Sequence, residues 1–257
     1  MSVCSPSYAP NRGCLGKIIA HRGASGLAPE NTLAAFEKAF ALGARAVEFD
    51  VTVSSDGVAV LMHDDDLARC SDGVGPVILK SLTQLQALDV GSWFGPEFAG
   101  ERIPTLSAVL DWALEQGVKV NLEIKPTAGW EQPTVAAIVD VLQNKTPSID
   151  ALVVTSFNAL AMDLFAGRMP DVAKGYLTDA VPTDWRQRMA QWGCVALHCH
   201  DPFVSSQLVQ SVHDAGHRVH VFTVNDPARA KMLFSWGVDG VFTDRPDVLL
   251  KECADDL

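Results

Sequence analysis

The chain has 257 residues, 48% of them hydrophobic, which is enough for one large core and within the usual range of a single α/β barrel. Its 20 Lys and Arg stand against 31 Asp and Glu, a net charge of −11, and this acidity argues against nucleic acid or an anionic membrane surface as a partner. An anionic small molecule would therefore need local cations to receive it.

Residues 1–16, rich in Ser, Pro, Gly and Asn, read as a flexible arm, and residues 17–257 as one domain. Neither a leader-like apolar segment near the start nor a run approaching 18 apolar residues is present, so a cytoplasmic protein without a membrane anchor is expected. Six scattered cysteines (Cys4, Cys14, Cys70, Cys194, Cys199, Cys253) form no Cys-x-x-Cys pair and read as free thiols in a reducing compartment.

From residue 17 onward, short apolar runs alternate with helix-period segments. Strands are expected at 17–20, 46–53, 119–124, 151–156, 173–178, 194–199, 218–224 and 240–243. Helices follow at 32–42, 106–116, 134–143, 159–168, 184–192, 205–215, 227–236 and 246–253. Gly43, Gly117, Gly193, Gly216 and Gly237 each follow a helical run, where a left-handed residue stops a helix without a Cβ clash.

Two stretches interrupt this rhythm. The turn Ser54-Ser55-Asp56-Gly57 folds residues 58–62 back on the second strand as a hairpin, with opposed positions summing to roughly 111 to 113, which brings His63 towards Glu48 and Asp50. Residues 65–104, with a short helix near 81–88 and the pair Trp93-Phe94, are too long for a plain connection and read as an insertion over the barrel mouth. Eight βα units with right-handed crossovers favour an α/β fold of the (β/α)8 TIM barrel type, with a doubly wound open sheet as the alternative.

The polar residues collect at strand ends, where a barrel builds its active site. Glu48 and Asp50 share one face of a strand, as do Glu123 and Lys125. Three such carboxylates suit one hard divalent cation, Mg²⁺ or Ca²⁺, and Arg22 and Lys125 could balance a phosphate. His21 and His63, ending the first strand and the hairpin, supply the acid and base that phosphodiester cleavage needs. His198 and His200 share a face of the sixth strand, but Cys199 points the other way, so no compact Cys/His cage is expected; His198 is a minor candidate for lining the pocket. His213, His217 and His220 read as surface or packing residues.

These motifs resemble the glycerophosphodiester phosphodiesterase family. The likeness rests on HRGASGLAPENTLAAF (21–36), EFDVTVSSDGVAVLMHD (48–64), LEIK (122–125), TSF (155–157), VFTVN and GVFTDRP, spans about 17–247, and is nearest the cytosolic bacterial enzymes. It implies that Glu48, Asp50 and Glu123 bind the metal, that His21 and His63 form the acid/base pair, and that Arg22 and Lys125 hold phosphate. It further implies that the insertion helps to enclose the glycerol moiety. Phe157 matches a pocket-lining position of the family, and Phe222 stands, also toward substrate, where many members carry Trp or Tyr.

The implied activity is hydrolysis of a small glycerophosphodiester, such as glycerophosphocholine or glycerophosphoethanolamine, to sn-glycerol 3-phosphate and an alcohol. Attack by the glycerol 2-hydroxyl through a cyclic phosphate is the expected route. The alternatives are a lysophospholipid-cleaving relative, for which Trp93, Phe94 and Phe98 would form an apolar entrance, and a non-catalytic barrel that binds phosphate esters. A homo-oligomer is left open.

Overall fold

The computed structural model describes residues 13–145 and 152–254, so most of the expected N-terminal arm lies outside the described residues. The strands are β1 (Ile18–Ala20), β2 (Ala46–Val53), β3 (Ala59–Leu61), β4 (Lys119–Ile124), β5 (Leu152–Thr155), β6 (Ala173–Thr178), β7 (Cys194–His200), β8 (Arg218–Phe222) and β9 (Gly240–Thr243). Eight of them are parallel. β1 pairs with β2 on one side and β9 on the other, which closes the sheet into a (β/α)8 barrel and rules out the open alternative.

β3 stands outside the barrel count, antiparallel to β2, with Val51 opposite Leu61, Thr52 opposite Val60 and Val53 opposite Ala59. Each pair sums to 112, inside the expected range. The turn is tied by Ser54, whose Oγ accepts from Val58 N and donates to Asp56 Oδ1.

The helices are α1 (Leu33–Ala41), α2 (Leu82–Gln86), α3 (Leu106–Gln116), α4 (Glu131–Lys145), α5 (Ala159–Arg168), α6 (Trp185–Trp192), α7 (Ser206–His213), α8 (Pro227–Ser235) and α9 (Pro246–Glu252). Thr32, Thr105, Asn158 and Ser205 cap four of them, each side-chain oxygen accepting a first-turn N–H. The five expected glycine stops all adopt positive φ. α4 starts three residues before its expected position, because Pro133 falls in the first turn, where its missing N–H costs no helical hydrogen bond.

Outward side chains of the strands pack under the helices, as Phe49 does against Phe36 with ring centroids 5.7 Å apart. Inside the barrel, Leu15, Ile19, Ala46, Val153, Ala173 and Val195 form an apolar plug. Polar residues occupy the strand positions above it. The segment 65–104 folds beside the hairpin on its own small cluster, in which Val60 and Met62 meet Leu67, Val77, Leu85, Val90 and Ile103.

Candidate active site

Strand β2 places Glu48 and Asp50 inside the barrel, 3% and 1% exposed, and β4 places Glu123 beside Asp50 in register. One oxygen from each of the three lies within 4.8 Å of the others. Like charges held this close in a poorly hydrated site resist ionisation. Burial and the neighbouring carboxylates push Glu48 well above the carboxylate range and Glu123 up to about 8.

Two cations face the cluster without neutralising it. Arg22 Nε lies 3.2 Å from Asp50 Oδ2 without hydrogen-bond alignment, and Lys125 Nζ lies 3.5 Å from Glu123 Oε1. A three-oxygen donor set with this residual repulsion fits one hard divalent ion. Arg22 and Asn31 hold left-handed backbone conformations, φ 54° and 58°, at the edge of the cluster. Those bends direct the Arg22 N–H at Glu48 Oε2 (2.9 Å) and let Asn31 donate to Asp50 Oδ2 (2.9 Å), so local strain is spent on orienting the acids.

A carboxylate stands behind each expected histidine. His21 Nδ1 is 2.7 Å from Asp244 Oδ1, and His63 Nδ1 is 2.6 Å from Asp64 Oδ1. An Nδ1–H donated to a carboxylate leaves Nε2 of each ring turned to the cavity. Nε2 of His21 lies 3.9 Å from Glu48 Oε2, and Nε2 of His63 accepts from Lys125 Nζ at 3.0 Å. Burial, together with Arg22 and Lys125, lowers the His63 pKa and keeps that imidazole neutral, outweighing Asp50 and Asp64. Burial also opposes ionisation of Asp244, yet hydrogen bonds from His21, Asn225 and Ser25 hold its pKa at about 2.

A cavity of about 220 Å³ opens among His21, Arg22, Glu48, His63, Glu123 and Lys125. Phe157 and Phe222 line it too, their rings edge to face at 5.9 Å. A second hollow of about 420 Å³ adjoins it at His63, Glu123, Lys125 and Phe157 and extends past Asp64 and Asp65. Every residue expected at the site from sequence is thus gathered there. Trp93, Phe94 and Phe98 pack on one another, and none of the three lines either hollow.

Sequence reading assigned no part to Glu30, Asn31, Arg69, Asp244 or Asn225. Arg69 bridges Glu30 and Asp64, and Glu30 also receives Arg22, so an ionic chain runs from the first strand's end to the His63 support. Glu30 and Asn31 lie within the run 21–36 and Asp244 directly follows β9, so position at a strand end was the available signal.

The family model of the glycerophosphoryl diester phosphodiesterase family matches residues 21–248. The chain belongs to that family. It is 34% identical to the Bacillus subtilis protein YhdW over 239 residues, covering 91% of this chain and 97% of YhdW. A glycerophosphodiester phosphodiesterase of Caldanaerobacter subterraneus is 32% identical over 240 residues, covering 91% and 96%. Among solved structures, an Oleispira antarctica phosphodiesterase in complex with the product sn-glycerol-3-phosphate superposes with a TM-score of 0.91 at 40% identity, covering 93% of this chain and 97% of that one. This member of the glycerophosphodiester phosphodiesterases is therefore an enzyme, a phosphoric diester hydrolase. The family is generally metal-dependent, and the acidic cluster is suited to a cation.

Proposed function

We propose that this enzyme hydrolyses glycerophosphodiesters to sn-glycerol 3-phosphate and an alcohol, with Glu48, Asp50 and Glu123 holding one divalent cation, Mg²⁺ or Ca²⁺. The observation that carries the reading is two carboxylate-backed imidazoles facing a three-carboxylate cluster across one cavity. A cation bound there would supply Lewis-acid polarisation of the phosphate and offset its charge.

His63, neutral and turned Nε2 inward, is the group suited to take the proton of the glycerol 2-hydroxyl. Lys125 leaves that nitrogen for a phosphate oxygen as substrate enters, and Arg22 holds a second one. His21, flanked by Asp244 and Glu48, is placed to deliver a proton to the departing oxygen. The bond from the 2-oxygen to phosphorus forms as the bond to the head-group alcohol breaks, which gives a cyclic phosphate; water then opens it with the two imidazoles exchanging roles. A correctly held internal nucleophile is worth roughly 7 to 11 kcal/mol over a free encounter, more than one general base supplies, so positioning dominates. Phe157 and Phe222 shape the cavity wall against the substrate.

Following sn-glycerol 3-phosphate release from several head-group esters, before and after chelation, tests the reading. Turnover that vanishes on chelation and returns with Mg²⁺ or Ca²⁺ is expected. Release unaffected by chelation would remove the ion, and no release from any ester would remove the activity. Unreduced turnover of a substrate whose 2-hydroxyl is replaced by hydrogen would exclude the cyclic route. Cys14, Cys70, Cys194 and Cys199 are free thiols, which suits the cytoplasm as the place of action.

A further inference from the structure

The same cavity is lined by His198 of β7 and by Asn121 of β4, the register partner of Glu48, beside Leu177 and Phe242. Neither residue belongs to the catalytic set proposed above. His198 is 0% exposed, yet neither of its ring nitrogens has a hydrogen-bond partner among the described residues. Asn121, 2% exposed, donates Nδ2 to Thr155 Oγ1 at 3.2 Å and leaves Oδ1 without a partner. Buried polar atoms left unpaired are costly, so an apolar floor would make a more stable barrel.

The fold nevertheless makes room for this imidazole. A Cβ on Gly175 would come within 2.9 Å of His198 Nε2, so the bare backbone of β6 is what lets the ring stand there. The ring is fixed by edge contacts to His220, 4.8 Å away, and Phe242, 5.3 Å away. It is oriented by packing alone, with its hydrogen-bonding capacity unspent. Burial and the neighbouring His220 lower its pKa well below the usual value, so it presents one donor and one acceptor without charge. Asn121 adds a second acceptor. That set matches an alcohol O–H, which both donates and accepts, and does not match an anion.

We propose that His198 and Asn121 form a hydroxyl-reading floor that grips the terminal hydroxyl of the substrate's glycerol arm and sets preference for glycerol over simpler diols. This rests on the phosphodiesterase reading and adds a specificity determinant outside the proposed catalytic set.

The test compares kcat/KM on glycerophosphoethanolamine and on the matching ester of propane-1,2-diol. The second ester keeps the hydroxyl next to the esterified oxygen and lacks the terminal one. Wild-type enzyme should favour the glycerol ester by about a hundredfold, since a site built for a hydroxyl rejects the analogue that leaves its polar groups unpaired. His198→Leu should lose roughly tenfold to a hundredfold on the glycerol ester while changing within about twofold on the diol ester. Its melting temperature should equal or exceed that of the wild type. If the leucine chain melts lower, Asn121→Ala carries the same comparison. Equal losses on both esters would make these residues structural and overturn the inference, as would equal wild-type turnover of the two esters. No wild-type turnover of either would overturn the phosphodiesterase reading and this inference together.

Discussion

Two imidazoles of the same chemistry stand in different electrostatic settings, and that difference separates their proposed roles. His63 shares its surroundings with Lys125 and Arg22, whereas His21 sits between Asp244 and Glu48. On glycerol p-nitrophenyl phosphate, whose leaving group needs no proton, His21→Ala should recover most of the activity it loses on glycerophosphocholine. His63→Ala should recover little. The reverse pattern in initial rates would exchange the roles. Asp244→Asn should lower kcat by about 10²-fold or more, because the carboxylate that fixes the His21 tautomer becomes an amide; an unchanged kcat would make Asp244 a bystander. The three acids were legible because two-residue spacing on a strand reveals a shared face, and His21 and His63 because each closes a strand or hairpin. Asp244, 223 residues from His21, was not. Local spacing carries no information about which distant strand end lies alongside.

Elements were more legible than contacts. Strand periodicity located all eight barrel strands, helped by five helix ends whose positive-φ backbone glycine adopts cheaply. The hairpin register followed from its turn length. Tertiary packing set what periodicity could not: β8 stops at Phe222, and the rings of Phe222 and His200 stack 5.5 Å apart where strand had been expected to continue. Gly117, at φ 64° with open space around its missing Cβ, isolates the backbone contribution. Gly117→Ala should cost about 1 kcal/mol of stability, the left-handed penalty of an L-residue, with kcat/KM unchanged. Chemical denaturation checks the first, and steady-state rates the second. A loss of rate would show that the end of α3 communicates with the site.

The whole molecule carries two sets of buried ionisable groups whose pH dependences oppose each other. Burial lowers His198 and His220, the latter to about 4, so as pH falls from about 6.5 the unfolded chain takes up protons that the native chain refuses. Stability is lost there at about 1.4 kcal/mol per pH unit per histidine. Glu48 and Glu123 act in the other direction. Their native pKa values lie above the ordinary 4.5, so the native chain keeps protons that the unfolded chain has released, and stability is lost as pH rises, for Glu123 towards about 8. Between pH 6.5 and 8 the histidines are silent and the acids remain. Chelated enzyme should therefore melt at a lower temperature at pH 8 than at pH 6.5, and Mg²⁺ or Ca²⁺ should raise the melting temperature more at pH 8. Glu123→Gln should flatten the slope. A melting temperature indifferent to pH across this window would mean that the acids are not in mutual conflict.

Because β1 is paired on both flanks, the seam of the barrel joins the earliest strand of the chain to the latest. His21 leaves the ribosome more than two hundred residues ahead of Asp244. A nascent or truncated chain can already own its three clustered acids and still have no anchor for the proposed proton donor, so partially made copies would be chemically mute until the two ends meet.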